Sequence, residues 1–174
     1  MSELSEHDAA VLNSVLYPNL PLPDTAQKLE DVEDNTPEVQ QTKKMEAEAV
    51  QMAENGKFEE ALELLNKAVD TAPKRASVYN NRAHVYQFQK RFSEALDDLT
   101  KAIELAQNNQ KRTLSQALCQ RGILHRRASR FDLAREDFET AAQMGSQFAK
   151  SQLVEMNPYA ALCNQMLRKV MEDL

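Results

Sequence analysis

The sequence predicts an all-α fold, a solenoid of three helical hairpins followed by C-terminal capping helices. One pattern occurs three times: an aromatic residue, a small residue three positions later, a bulky apolar residue four further on, and then an alanine. The copies are Phe58-Ala61-Leu65-Ala68, Phe92-Ala95-Leu99-Ala102 and Phe131-Ala134-Phe138-Ala141. The chain has 174 residues, 42% of them apolar, and only three glycines, which suits a helical core and leaves few residues to end strands.

The first copy, residues 42–75, shows both helices of a hairpin. Gly56 falls where the chain must turn, and Pro73 follows the second helix, where a residue that cannot continue a helix is expected. The second copy begins at Ala76, 34 residues after Thr42. This period and these residues resemble the tetratricopeptide repeat, a helix-turn-helix unit. The resemblance implies stacked hairpins whose first helices line a concave groove.

The second and third copies are predicted at residues 76–114 and 115–147. The second interval is five residues longer than the first, and the extra residues are the polar residues 107–111, which we expect to lengthen the helix or the loop before the third copy. Gly145 is expected to stop the last helix of the third copy. Small residues also recur in the first helix of every copy, where a larger side chain would overpack against the neighbouring helix. They are Ala49, Ala83 and Gly122.

Residues 1–41 are predicted to form an acidic tail. Nine acidic residues precede Thr42, against Lys28 as the one basic residue. Near the start we expect a short amphipathic helix, and residues 18–37, rich in proline and acid, read as an extended or disordered linker. The apolar stripe of that helix is Ala9, Val11, Leu12, Val15 and Leu16. Two alternatives stay open: the helix docks on the repeats with the linker near the basic third repeat, or the tail touches nothing.

Residues 148–174 are predicted to form the capping helices. The last hairpin of an array exposes one side, which a terminal helix must cover. Asn157 is expected to cap the final helix, with Pro158 at its first position. The apolar stripe of this helix is Tyr159, Leu162, Cys163, Met166, Leu167, Val170 and Met171. The alternative is that this apolar face recruits a partner helix.

The composition predicts an intracellular protein, in the cytoplasm with the nucleus as a second compartment, and a monomer. Two cysteines are too few for a secreted disulfide framework, no apolar run is long enough to span a membrane, and the acidic start is unlike a signal peptide. We assign no catalytic residue, metal ligand or cofactor, because the three histidines are scattered and neither cysteine has a partner at metal-ligand spacing. An enzyme is therefore disfavoured.

The predicted function is a protein–protein interaction adaptor that holds an extended peptide or a protein partner in the groove. Groove positions of the first copy and of the start of the second are Lys43, Glu46, Val50 and Ser77. The residues predicted to bind the partner are Asn80, Asn81, His84, Phe88, Gln116, Cys119, Gln120, Ile123 and Arg127. Amides both donate and accept hydrogen bonds, so they suit a peptide backbone, while apolar members can receive its side chains.

The predicted groove lacks the clamp with which the best-known tetratricopeptide domains hold chaperone C-terminal carboxylates. That resemblance implies two lysines, two asparagines and an arginine at five positions. In this sequence the positions hold Glu46, Val50, Asn81, Gln116 and Gln120. Only Asn81 matches, and without the three cations the charge-assisted bonds, worth about 1.5–3 kcal/mol each, are absent. We expect no strong clamp-type binding of an acidic C-terminal peptide.

Three stretches of the chain resemble one small family, tetratricopeptide repeat protein 36, which is also described as binding the 70-kDa heat-shock chaperone. They are VLNSVLYP at 11–18, ASVYNNRA at 76–83 and NPYAALCNQML at 157–167. The resemblance covers nearly the whole chain. It implies a non-enzymatic, co-chaperone-like adaptor associated with the 70-kDa chaperone, with family links to cilium assembly and tyrosine breakdown.

Nucleic-acid binding through the basic third repeat is the alternative function. The basic residues are Lys111, Arg112, Arg121, Arg126, Arg127, Arg130 and Arg135. The acidic tail and an isoelectric point near 5.2 oppose this alternative. A solvated or tail-facing charged surface is the interpretation we favour.

Overall fold

The computed structural model describes residues 29–32, 35–106, 110–157, 159 and 166. Seven α-helices are found among them. They are α1 (Pro37–Glu54), α2 (Phe58–Thr71), α3 (Ala76–Phe88), α4 (Phe92–Leu105), α5 (Lys111–Arg127), α6 (Phe131–Gln143) and α7 (Gln147–Glu155). The helices pack in sequence as the hairpins α1–α2, α3–α4 and α5–α6, and α7 packs against α6. This confirms the predicted all-α tetratricopeptide solenoid.

Each hairpin has its own buried apolar cluster, and each cluster includes residues from the next element of the stack. Val78 and Val85 of α3 belong to the cluster of the first hairpin, and Ala117 and Leu124 of α5 belong to that of the second. Ala149 of α7 completes the cluster of the third hairpin. The hairpins thus bury their apolar faces against each other, as the one-dimensional stacking of repeats requires.

The predicted small residues lie in the packed interior. Ala49 and Ala83 have no exposed surface. At Gly122 two helices approach closely, because a Cβ atom built there would lie 2.8 Å from Cε1 of Phe138. Phe138 is fully buried and packs edge-on against Phe148, with ring centroids 6.3 Å apart. The third hairpin therefore accommodates its large aromatic residue by having no side chain opposite it.

The turn inside each hairpin has the same backbone conformation. Gly56 has a φ of 78°, as its predicted place in a turn requires, and Lys90 and Ser129 adopt φ values of 60° and 58° at the equivalent positions. In each turn the next residue donates its N–H to a carbonyl five residues earlier, as Lys57 does to Met52. Gly145, predicted to stop a helix, has a φ of 105° and follows α6.

Two helices begin earlier than the predicted repeat boundaries. Helix α1 starts at Pro37, inside the segment expected to be tail, because Thr36 caps it by accepting a hydrogen bond from the N–H of Val39. Helix α5 starts at Lys111, so the last of the inserted residues extends this helix, Gln110 precedes it, and residues 107–109 lie outside the described residues.

The ends of the chain are described only in part. Asn157 Oδ1 accepts a hydrogen bond from the N–H of Tyr159, at 3.0 Å, which is the predicted capping contact. The apolar stripe expected at residues 9–16 lies outside the described residues, as does most of the terminal stripe. Of the latter, Tyr159 and Met166 are described and exposed.

Candidate peptide-binding groove

The first helices of the three hairpins form one continuous face, which we call the groove face. Helix α3 contacts both α1 and α5, so side chains from all three converge. A cavity of about 590 Å³ lies on this face. It is lined by Leu29, Glu30, Asp31, Lys43, Arg75, Ser77, Asn80, Asn81, Arg112, Thr113 and Gln116. The lining is mostly polar, as expected of a surface that binds peptide backbone rather than an apolar ligand.

One wall of the cavity is supplied by residues 29–31, in the segment that precedes α1. Asp31 forms an isolated antiparallel bridge with Gln110, so the segment runs extended beside the start of α5. The Asp31 carboxylate accepts two hydrogen bonds from Thr113, one from the backbone N–H at 3.1 Å and one from the hydroxyl at 2.6 Å. This part of the acidic tail lies at the third repeat.

The Glu46 carboxylate is bound by other residues of the protein. Its carboxylate accepts hydrogen bonds from Nη2 of Arg75 at 3.1 Å and from the hydroxyl of Ser77 at 2.7 Å, and both charged side chains are buried. Glu46 stands where a chaperone clamp would have a cation. Its negative charge is neutralised by Arg75, so this position offers no charge to attract or repel a peptide terminus.

Buried amides connect α3 to α5. Gln120 donates to Asn80 Oδ1 at 3.1 Å and accepts from the side chain of Gln87 at 2.7 Å. Asn80 and Gln120 are only 5% and 7% exposed. The two amides bond each other between two packed helices, although Asn80 also lines the cavity, and their contact with a partner stays a prediction. Asn81 and Gln116 line the cavity beside them and remain candidate contacts.

A ring cluster lies at the other end of α3. Phe88 is 41% exposed, stacks on Phe58 with a centroid distance of 5.6 Å, and contacts the His84 ring at 4.8 Å. Burial lowers the pKa of the His84 imidazole, so it is neutral at pH 7. Val50 is also exposed, at 37%. Phe88 and Val50 are therefore available to receive apolar side chains of a peptide.

Three further predicted contact residues lie at the third repeat. Cys119 and Ile123 are buried, in the apolar cluster of the third hairpin, and Cys119 Sγ is 3.5 Å from the hydroxyl of Ser146. The first-helix register alone does not reveal this burial, and the contact role of both residues stays a prediction. Arg127 is exposed, with its guanidinium 4.4 Å from the ring centroid of Phe92.

Two arginine–aspartate pairs recur at equivalent positions of the second and third repeats, and the sequence analysis did not predict them. Arg82 makes two hydrogen bonds of 2.7 Å to Asp98, and Arg121 makes the same pair with Asp137, at 2.9 and 2.6 Å. Each arginine also reaches the hairpin before it, Arg82 at Asn66. The signal was present, since both Arg–Asp pairs have a spacing of 16 residues at the same repeat positions.

These ion pairs also bear on the basic surface that the sequence predicts at the third repeat. Arg121 is held by Asp137, and Arg126 pairs with Glu155 at 3.0 Å. Two of the arginines expected on a basic surface thus have carboxylate partners within the array.

In the ranges that the structure describes, no group of three or more histidine, cysteine or acidic side chains is placed to hold a metal ion. None of the described helices is both long and apolar enough to cross a bilayer.

Comparison with known proteins places this geometry in a family. A tetratricopeptide repeat family model matches residues 74–147. The tetratricopeptide repeat protein 36 homolog of Drosophila pseudoobscura pseudoobscura is 48% identical over 180 residues, which cover 99% of this chain and 96% of the relative. The chain belongs to the tetratricopeptide repeat protein 36 family. Human tetratricopeptide repeat protein 36 is 42% identical over 179 residues, with 97% and 94% of the two chains covered.

Among solved structures, the fold of this chain resembles a tetratricopeptide domain that was solved with a chaperone peptide bound. The second tetratricopeptide domain of human RPAP3, solved by NMR in complex with the HSP70 peptide SGPTIEEVD, has a TM-score of 0.59 and 25% identity. The match covers 68% of this chain and 97% of that domain.

Proposed function

We propose that this member of the tetratricopeptide repeat protein 36 family is a non-enzymatic adaptor that binds an extended segment of a partner protein on the groove face. The observation that carries the proposal is the position of residues 29–32 on this face. An extended stretch of polypeptide lies against α5, with one backbone bridge and a side chain bound by Thr113. A face that holds one extended strand in this way can hold a partner strand in its place.

The partner that we propose is the 70-kDa heat-shock chaperone. The family resemblance and the HSP70 peptide bound by the RPAP3 domain support this choice. The mode of binding must differ from a carboxylate clamp, because Glu46 occupies one clamp position and is already paired with Arg75. Contact would therefore use a segment of the chaperone other than its terminal carboxylate, with Asn81 and Gln116 bonding its backbone.

The remaining parts of the proposal concern the setting of the adaptor. We place it in the cytoplasm, with access to the nucleus, and as a monomer. The family's links to cilium assembly and tyrosine breakdown are settings in which an adaptor of this kind would present one protein to another. No step of catalysis is assigned to any of its residues.

The test compares two forms of the chaperone, one intact and one lacking its C-terminal EEVD residues, captured on the full-length chain. We expect equal capture, because recognition does not use the terminal carboxylate. The peptide SGPTIEEVD should bind the chain no more tightly than the same peptide with an amidated C-terminus, because the terminal carboxylate is not recognised. Capture that disappears with the EEVD residues would contradict the proposed mode, and absence of capture of either form would remove the chaperone as a partner.

A matched pair of variants locates the contact. Gln116→Ala combined with Asn81→Ala removes two amides that line the cavity, and we expect capture to fall at least about tenfold. Gln143→Ala, an exposed glutamine at the end of α6 and outside the cavity, should leave capture unchanged. Equal capture by both variants would move the site off the groove face.

A further inference from the structure

We propose that the α5 end of the groove is a subsite for an aspartate or glutamate side chain of an extended acidic partner peptide, and that Asp31 of this chain occupies it when no partner is bound. The inference rests on the proposed function and deepens it, because it names the chemistry of the segment that the groove takes.

The subsite is built by the first turn of α5. Thr113 is the third residue of this helix and is 3% exposed, and both its N–H and its hydroxyl bind the Asp31 carboxylate. Gln110, the residue that precedes the helix, forms no side-chain capping bond. The N–H that a capping side chain would ordinarily satisfy is therefore satisfied by a carboxylate from a distant part of the chain.

The occupant shows how a ligand would lie. Asp31 is bridged antiparallel to Gln110, so its backbone is extended at the point where its side chain enters the subsite. Residues 29–31 line the cavity, and the remaining walls come from α1, α3, α5 and Arg75, the residue just before α3. A partner strand in the same place would use the same backbone bridge and could extend over the cavity toward α1.

Charge favours an acidic occupant. Lys43 of α1 and Arg112 of α5 line the cavity at exposed positions, from opposite sides of the groove face. The segment that lies between them carries Glu30 and Asp31. An approaching peptide meets the partial positive charge of the α5 N-terminus and two cationic side chains, which stabilise carboxylates and disfavour basic sequences.

This subsite differs from a terminal-carboxylate clamp in a way that can be measured. Its ligand is a side chain in the middle of a strand, so a peptide with both ends blocked must bind. Because Asp31 belongs to the same chain, it competes at a high effective concentration, and a peptide added from outside binds the intact chain weakly.

The experiment uses the full-length chain and a fluorescent peptide of sequence LEDVEDNT, corresponding to residues 29–36, acetylated and amidated at its ends. We expect the Asp31→Ala chain to bind this peptide at least tenfold more tightly than the unaltered chain, about the effect of one capping bond. The same peptide with Asp31→Ala should bind the Asp31→Ala chain about tenfold more weakly. Circular dichroism checks that the variant chain keeps its helices.

Further variants in the Asp31→Ala chain locate the peptide. Arg112→Glu should abolish binding, whereas Arg135→Glu, an exposed arginine of α6, should not change it. Thr113→Val, which keeps the branched shape and removes the hydroxyl donor, should weaken binding. Equal affinity of the unaltered and Asp31→Ala chains, or equal loss with both arginine variants, would overturn the subsite. Chaperone capture that still depends on Asn81 and Gln116 would then leave the proposed function intact.

Discussion

At the scale of the residue, the two members of one packing pair change together along the repeats. In the first two hairpins the equivalent repeat positions hold alanine and leucine, Ala49 with Leu65 and Ala83 with Leu99, and each pair lies in one buried cluster. In the third hairpin glycine faces phenylalanine, and the space above Gly122 is filled by the ring of Phe138. The combined volume is thus conserved, as tight packing in a helix crossing demands.

Gly122→Ala is expected to lower the free energy of unfolding by about 1–3 kcal/mol, because the new methyl group would lie 2.8 Å from a fully buried ring that Phe148 holds in place. Urea denaturation followed by circular dichroism measures this change. Phe138→Leu alone should also destabilise, through the void it leaves.

The double variant Gly122→Ala with Phe138→Leu recreates the pair of the other two hairpins. We expect it to lose less stability than the sum of the two single losses, because each change relieves the defect of the other. Strictly additive losses would show that the close approach of Phe138 does not constrain Gly122.

The packing role of the small residues could be predicted from their recurrence, but the solvent exposure of the groove residues could not. Asn80, Cys119 and Gln120 occupy groove positions by register, yet they are buried. Their exposure depends on neighbouring helices, on the amide partner that α5 brings to α3 and on the cover that α7 provides. Neither feature is visible in the spacing of a single helix.

At the scale of the element, the hairpin turn is the feature that all three repeats share. Its left-handed residue is glycine once and a larger residue twice, at Lys90 and Ser129. Left-handed backbone costs a residue with a Cβ atom about 1–2 kcal/mol. Two of the three turns therefore carry strain that glycine would remove.

Gly56→Ala is expected to destabilise by about 1 kcal/mol, and the cause would be the backbone alone, since no atom lies within 4 Å of the added Cβ. Lys90→Gly should raise the free energy of unfolding by up to about 1 kcal/mol, with the greater flexibility of the unfolded chain offsetting part of the gain. Lys90→Ala serves as control and should change little. Chemical denaturation of the three variants checks these values, and a stabilising Gly56→Ala would contradict the account.

Helix starts were predictable in part. Thr36, Pro37 and Glu38 are a capping residue, a first-position proline and a first-turn acid, so the start of α1 was written in the sequence upstream of the repeat boundary. The start of α5 was not, because its cap is completed by Asp31, which is 82 residues away from Thr113.

At the scale of the whole molecule, the repeat period predicts the stacked hairpins, whereas the position of residues 29–32 shapes the cavity on the groove face. Stacked hairpins follow from local patterns, and the Arg–Asp pairs of the second and third repeats join successive hairpins through contacts such as Arg82 to Asn66. The position of residues 29–32 depends on a long-range contact that no local pattern encodes. Acidic composition suggested its attraction to the third repeat, and the structure supplies the contact itself.

The central claim is that the face formed by α1, α3 and α5 receives a partner polypeptide. Hydrogen–deuterium exchange of the full-length chain, alone and bound to the 70-kDa chaperone, tests it most directly. The account predicts slower exchange in α1, α3 and the first turns of α5, with α2, α4 and α6 unchanged. Slower exchange confined to α2, α4 and α6, or to α7, would contradict it.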